Sequence, residues 1–113
     1  MPDIREIYRV KVFFEDNPSE FKIRPILIIE VDHDSALFTI TEITSSQPKV
    51  PTTYHDRFKE PIINWRQTGL TEPSYVKTHN IYRIEQDKLL EFVGEVPCRD
   101  FDRILARIIE VNS

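Results

Sequence analysis

The sequence predicts a mainly β domain: a small barrel-like sheet of six or seven short strands, followed by one C-terminal helix. Three observations lead there. Several segments alternate apolar and polar residues with strand period, or run as short β-branched stretches. Turn residues separate these segments at close intervals. Helical spacing of apolar residues occurs once, from Phe101 onward. A chain of 113 residues suits one core and one domain, residues 1–113.

The elements follow in order. In "IYRVKVFF" (7–14), Tyr8, Val10, Val12 and Phe14 share one face, with Arg9 and Lys11 on the other beside Ile7 and Phe13. "EDNPSEFK" (15–22) is a turn-rich link around Asn17-Pro18. "IRPILIIEV" (23–31) is nearly continuous in β-branched residues, as expected of a central strand buried on both faces. "DHDS" (32–35) is a tight turn, and "ALFTITEI" (36–43) a third strand. The pattern stops between Thr44 and Glu60; so long a loop in a small domain is more often functional or mobile than passive. "IINW" (62–65), a turn at 66–70, short strands at 74–79 and 81–84, a turn at 85–88 and the segment 89–96 complete the β part. Phe101, Ile104, Leu105, Ile108 and Ile109 then form one helical face, with Asp100 at the expected N-cap and Pro97 ending the preceding strand.

Composition narrows the function classes. A formal net charge of −4 and a pI near 5.4 argue against indiscriminate nucleic-acid binding, yet 15 Lys and Arg leave room for a basic face. The one cysteine, Cys98, cannot form an internal disulfide and fits a reducing compartment. The N-terminal stretch lacks the apolar run of a signal peptide, and no segment approaches the ~18 apolar residues of a membrane helix. The expectation is a cytoplasmic protein that does not enter a membrane.

Most chemical motifs fail on spacing. His33 and His55 each neighbour an Asp, but no two histidines have helical i, i+3 or i, i+4 spacing and no Cys partners them, so no metal site is predicted. Two glycines do not make a phosphate loop. What remains is a polar set at strand ends. Arg24 opens the central strand, and Thr44, Ser45 and Ser46 follow the third. If these strands are antiparallel neighbours, Arg24 and Thr44 meet at one edge of the sheet. A guanidinium beside hydroxyls suits a phosphate; a solvated strand end beside the start of a turn is the plainer alternative.

The ordered segments "KIRPILII" (22–29), "ITEITSS" (40–46), "GLTEPSYVKTHNIYRI" (69–84) and "FVGEVPCRDFDRILARI" (92–108) resemble the MazF/PemK-type toxins of bacterial toxin–antitoxin pairs. The resemblance implies an SH3-like barrel, a homodimer, and metal-independent endoribonuclease action on single-stranded RNA without a cofactor. In such enzymes the ribose 2′-hydroxyl attacks the adjacent phosphorus, leaving a 2′,3′-cyclic phosphate and a 5′-hydroxyl. The Arg of the Arg-Pro pair and the Thr after the third strand match Arg24 and Thr44, with Ser45 able to add a donor. The link at 15–22 is poorer in Gly and Gln than the family pattern. No histidine is placed as the general base; His55 is one candidate, and an Arg, which stays protonated at neutral pH unless strongly perturbed, is a poor one.

An RNA track is expected from Lys49, His55, Arg57, Lys59, Arg66 and Lys77, with Tyr54, Phe58 and Trp65 interleaved to stack unpaired bases. Core packing is the alternative for Trp65 and Phe58. The expected partners are single-stranded mRNA, a cognate antitoxin and a second copy of the chain. The alternative function on the same barrel is a non-enzymatic CcdB-like poison or an interaction module.

Overall fold

The computed structural model describes residues 1–14 and 16–113. Its strands are β1 (Glu6–Phe13), β2 (Phe21–Asp32), β3 (Leu37–Thr44), β4 (Lys59–Pro61), β5 (Tyr75–Glu85) and β6 (Glu91–Glu95), followed by the helix α1 (Cys98–Val111). All neighbours pair antiparallel, in the order β4-β5-β3-β2-β1-β6. The mainly β class with one terminal helix is as predicted. The sheet, however, stays open: β4 and β6 stand at its edges and do not pair with each other among the described residues. β4 has only three residues and ends in Pro61, which has no N–H to extend a ladder.

β2 is the spine of the sheet. Ile26, Leu27 and Ile28 are each fully buried, so consecutive side chains are covered on opposite faces. Leu27 belongs to the core beneath α1, with Ile7, Ile43, Val76, Val96, Phe101, Ile104 and Ile108. Ile26 and Ile28 belong to the opposite face, with Val10, Phe38 and Ile40. Burying a side chain of this size contributes about 1.5–3 kcal/mol, and here the contribution comes from both faces of one strand.

Two expectations at the helix change. Ile109 turns outward and is 61% exposed, while Phe101, Ile104 and Ile108 form the buried stripe. Asp100 is not the N-cap: the helix begins at Cys98 with Pro97 at the cap position. The Asp100 carboxylate instead reaches another segment. It accepts the backbone N–H groups of Ile63 and Asn64 (both 3.1 Å) and the Asn64 side-chain amide (2.9 Å), and it pairs with Arg103 (2.9 Å). Burial alone would raise this carboxyl, but the bonds from Arg103 and Asn64 outweigh it and hold it below its ordinary value. Arg103 also pairs with Glu60 at 3.0 Å, so the helix start fixes the turn after β4 and β4 itself. Residues 62–65 are that turn.

Candidate functional site

β2 and β3 are antiparallel neighbours, as the edge argument requires. Their ladder runs Ile28–Ile40, Leu27–Thr41, Ile26–Glu42 and ends there. Arg24 and Thr44 each lie two residues beyond this last pair, so the same register carried outward sets them opposite each other. Beyond the ladder β2 and β3 are not paired with each other. Arg24 pairs with Val10 of β1, and Thr44 with Tyr75 of β5. Arg24 shares the face of Ile26, and Thr44 the face of Ile40 and Glu42, which is the face away from α1. Arg24 is exposed, and its guanidinium has no ion pair or hydrogen bond among the described residues. Thr44 is buried, and its Oγ1 accepts the N–H of Ser46 (3.1 Å), which turns the chain after the strand; Ser45 is exposed.

The long segment after Thr44 is tied down from within. Asp56 is buried, and its Oδ2 accepts the N–H groups of Lys49 (2.9 Å) and Thr53 (3.3 Å). Its Oδ1 meets Lys59 Nζ at 2.9 Å, and these bonds hold the carboxyl well below its usual range. Lys59 Nζ also donates to the Ser46 carbonyl (3.1 Å), which anchors the segment beside the end of β3.

β5 supplies the other wall. It was expected as two strands, 74–79 and 81–84, but it is one strand carrying a bulge. Lys77 on this strand pairs with Glu42 of β3 (3.4 Å). A cavity of about 320 Å³ opens here, lined by His55, Lys59, Lys77, His79 and Asn80. Lys77 and Asn80 also line a larger groove of about 970 Å³ over Ile26, Ile40 and Glu42. The two hollows thus share a border on the face that carries Arg24 and Thr44.

The family model described as "PemK-like, MazF-like toxin of type II toxin-antitoxin system" matches residues 5–111. The chain belongs to this family. No curated protein sequence matches it. Solved MazF-type structures share the fold of this PemK/MazF-like chain at low identity. An endoribonuclease in complex with its cognate antitoxin from a mycobacterial species superposes with a TM-score of 0.73 at 18% identity, covering 99% of this chain and 95% of that one. The Mycobacterium tuberculosis toxin MazF-mt6 gives 0.68 at 20%, covering 96% of each chain. A MazE–MazF structure from Deinococcus radiodurans gives 0.72 at 12%, covering 98% and 95%.

Of the basic and aromatic residues expected along an RNA track, this PemK/MazF-like chain gathers His55, Lys59 and Lys77 at one cavity. Arg57 lies over the rings of Tyr54 (4.2 Å) and Phe58 (5.0 Å) nearby, and Lys49 is exposed on the same segment. Trp65 is placed elsewhere, half-buried against the core beneath α1, with Arg66 stacked over it at 4.6 Å. Glu42, His79 and Asn80 were missed. The available signal was the break in alternation at "THN" (78–80), which reads as a strand boundary and is a bulge.

Proposed function

We propose that this PemK/MazF-like protein is the toxin of a toxin–antitoxin pair and cleaves single-stranded RNA. The observation that supports this best is Arg24, whose guanidinium has no partner among the described residues and which falls opposite Thr44 when the β2–β3 register is carried past the end of the ladder, in a chain of this family. In the reaction the 2′-hydroxyl oxygen bonds to phosphorus and loses its proton to a base, and the bond from phosphorus to the 5′-oxygen breaks as that oxygen gains a proton. Arg24 stabilises the charge that grows on the phosphoryl oxygens, and the hydroxyls of Thr44 and Ser45 donate to them. Lys49 and Arg57 hold the strand beside this point, and His55, Lys59 and Lys77 line the adjoining hollow. The protein works as a cytoplasmic homodimer, and an antitoxin segment occupies the same groove when the toxin is silent. No helix is long and apolar enough to cross a membrane among the described residues.

The test is incubation of purified protein with single-stranded RNA in excess EDTA. Expected are fragments with 2′,3′-cyclic phosphate and 5′-hydroxyl ends, and a loss of about 10²-fold or more in rate for Arg24→Ala. Intact RNA, or equal cleavage by the variant, overturns the reading; intact RNA with inhibited DNA supercoiling replaces it with a gyrase poison.

A further inference from the structure

The bulge in β5 is larger than a strand irregularity needs to be. Between the pairs Thr41–Ile81 and Ile43–Val76, β3 has one residue, Glu42, and β5 has four: Lys77, Thr78, His79 and Asn80. Bulges re-aim side chains beside active sites. This one is pinned at three points, two of them on its backbone carbonyls. Thr41 Oγ1 donates to the Lys77 carbonyl (2.9 Å), Thr78 Oγ1 to the Phe58 carbonyl (2.5 Å), and Asn112 Nδ2 to the Thr78 carbonyl (2.7 Å). Thr78 is buried, while Lys77, His79 and Asn80 line the 320 Å³ cavity.

The chemistry of that cavity is poor for a phosphate. Its two lysines are already engaged, Lys59 with Asp56 (2.9 Å) and Lys77 with Glu42 (3.4 Å). His79 is pushed toward its neutral form, first by burial and then by the nearby charges of His55 and Lys77. Its Nδ1 is buried and has no hydrogen-bond partner among the described residues. The ring is held by Phe58 (centroids 4.6 Å, 32° between planes) and His55 (5.7 Å, 30°), and Tyr54 meets His55 edge-on at 5.3 Å. Asn80 adds an amide, which offers a donor and an acceptor side by side. Ring faces, neutral polar edges and an amide are what an unpaired base requires.

We propose that this cavity is a nucleobase pocket: it takes one unpaired base of the RNA next to the scissile phosphate, stacks it against the His55–His79 rings and reads its edge with the Asn80 amide. This rests on the RNA-cleavage reading. The pocket adjoins the phosphate site through two contacts. Glu42, which holds Lys77, is two residues from Thr44 on the same face of β3, and Lys59 bonds to Ser46. Sequence selectivity therefore resides in residues 77–80 and His55, apart from the groups that act on phosphorus.

The decisive measurement is the cleavage preference over a pool of random single-stranded RNAs, read by sequencing the 5′-hydroxyl ends. Asn80→Ala is expected to lower the strongest preference at one position beside the cut at least 10-fold, and Asn80→Asp to shift that preference to a different base. Arg24→Ala lowers cleavage of all sequences alike. Unchanged preference in both Asn80 variants overturns the pocket while leaving the nuclease standing. A second arm needs no variant. An oligonucleotide with a 2′-deoxy sugar at the attacking position cannot be cut, and its binding is followed by the imidazole NMR signals of His55 and His79. Those signals are expected to move with the intact oligonucleotide and to stay in place when the base at that position is absent. Equal shifts with the abasic form overturn the proposal. If wild-type protein cuts no RNA, the cleavage reading fails and the pocket, which rests on it, falls with it; cleavage with unchanged base preference overturns the pocket alone.

Discussion

His79 shows how one side chain can serve a site and weaken the fold at low pH. Its folded-state pKa is depressed below the ordinary 6.5 by burial, with His55 and Lys77 adding to the shift and Glu42 opposing it. Below pH 6.5 the unfolded chain therefore binds a proton that the folded chain resists. The stability linked to His79 is complete above pH 6.5 and falls as pH drops from there to the depressed pKa. Expected is a smaller loss of urea midpoint between pH 7.5 and 5 in His79→Gln than in wild type, the difference isolating this residue from His33 and His55. Identical losses would mean that the ring is not held neutral. That Arg24 and Thr44 lie at the same end of β2 and β3 was legible because strand register follows from alternation and turn position. His79 was not, because a histidine next to an apparent strand end carries no sign of the ring stack that encloses it.

At the scale of elements, Asp100 does the work that holds β4 in place. Asp100→Ala removes a buried carboxylate that satisfies two backbone N–H groups and one guanidinium. The expected loss is about 3–5 kcal/mol of unfolding free energy, typical of breaking a buried pair, measured by denaturant titration. A loss below 1 kcal/mol would show that the turn at 62–65 stands without it. The carboxyl is held below 3.8, so its contribution is present above that pH and is lost as pH falls further. The sequence marked the helix correctly by its apolar spacing but misassigned Asp100. A first-turn carboxylate and an N-cap carboxylate look alike until the tertiary partner is known. The β5 bulge escaped for a related reason: an interruption of period two looks the same whether the chain leaves the sheet or swells within it.

For the molecule as a whole, the open sheet is closed off at its β6 side by the turn at 66–70. A methyl group at Gly94 would overlap the Thr68 carbonyl, and one at Gly69, which has φ +88°, would overlap the Val93 carbonyl. Gly94→Ala is expected to lower stability by about 1–3 kcal/mol, seen as a lower thermal midpoint, and an unchanged midpoint would mean that the turn and β6 are not in firm contact. The mainly β class was legible because most strands declare themselves locally, but β4 lay largely in the stretch read as a loop and β5 was read as two strands; barrel closure depends on the lengths of the edge strands β4 and β6, which alternation does not reveal. The four-residue excursion of β5 has a consequence for the history and redesign of such a protein. Its ends are fixed by pairs on either side, so Lys77, His79 and Asn80 can vary without shifting the register of any strand, while Thr78 stays buried and bonded to the Phe58 carbonyl. On the proposed phosphate site and base pocket, what is cut and how it is cut are written on separate strands. A transplant of residues 77–80 between relatives is then a four-residue exchange of dialect that leaves the blade untouched.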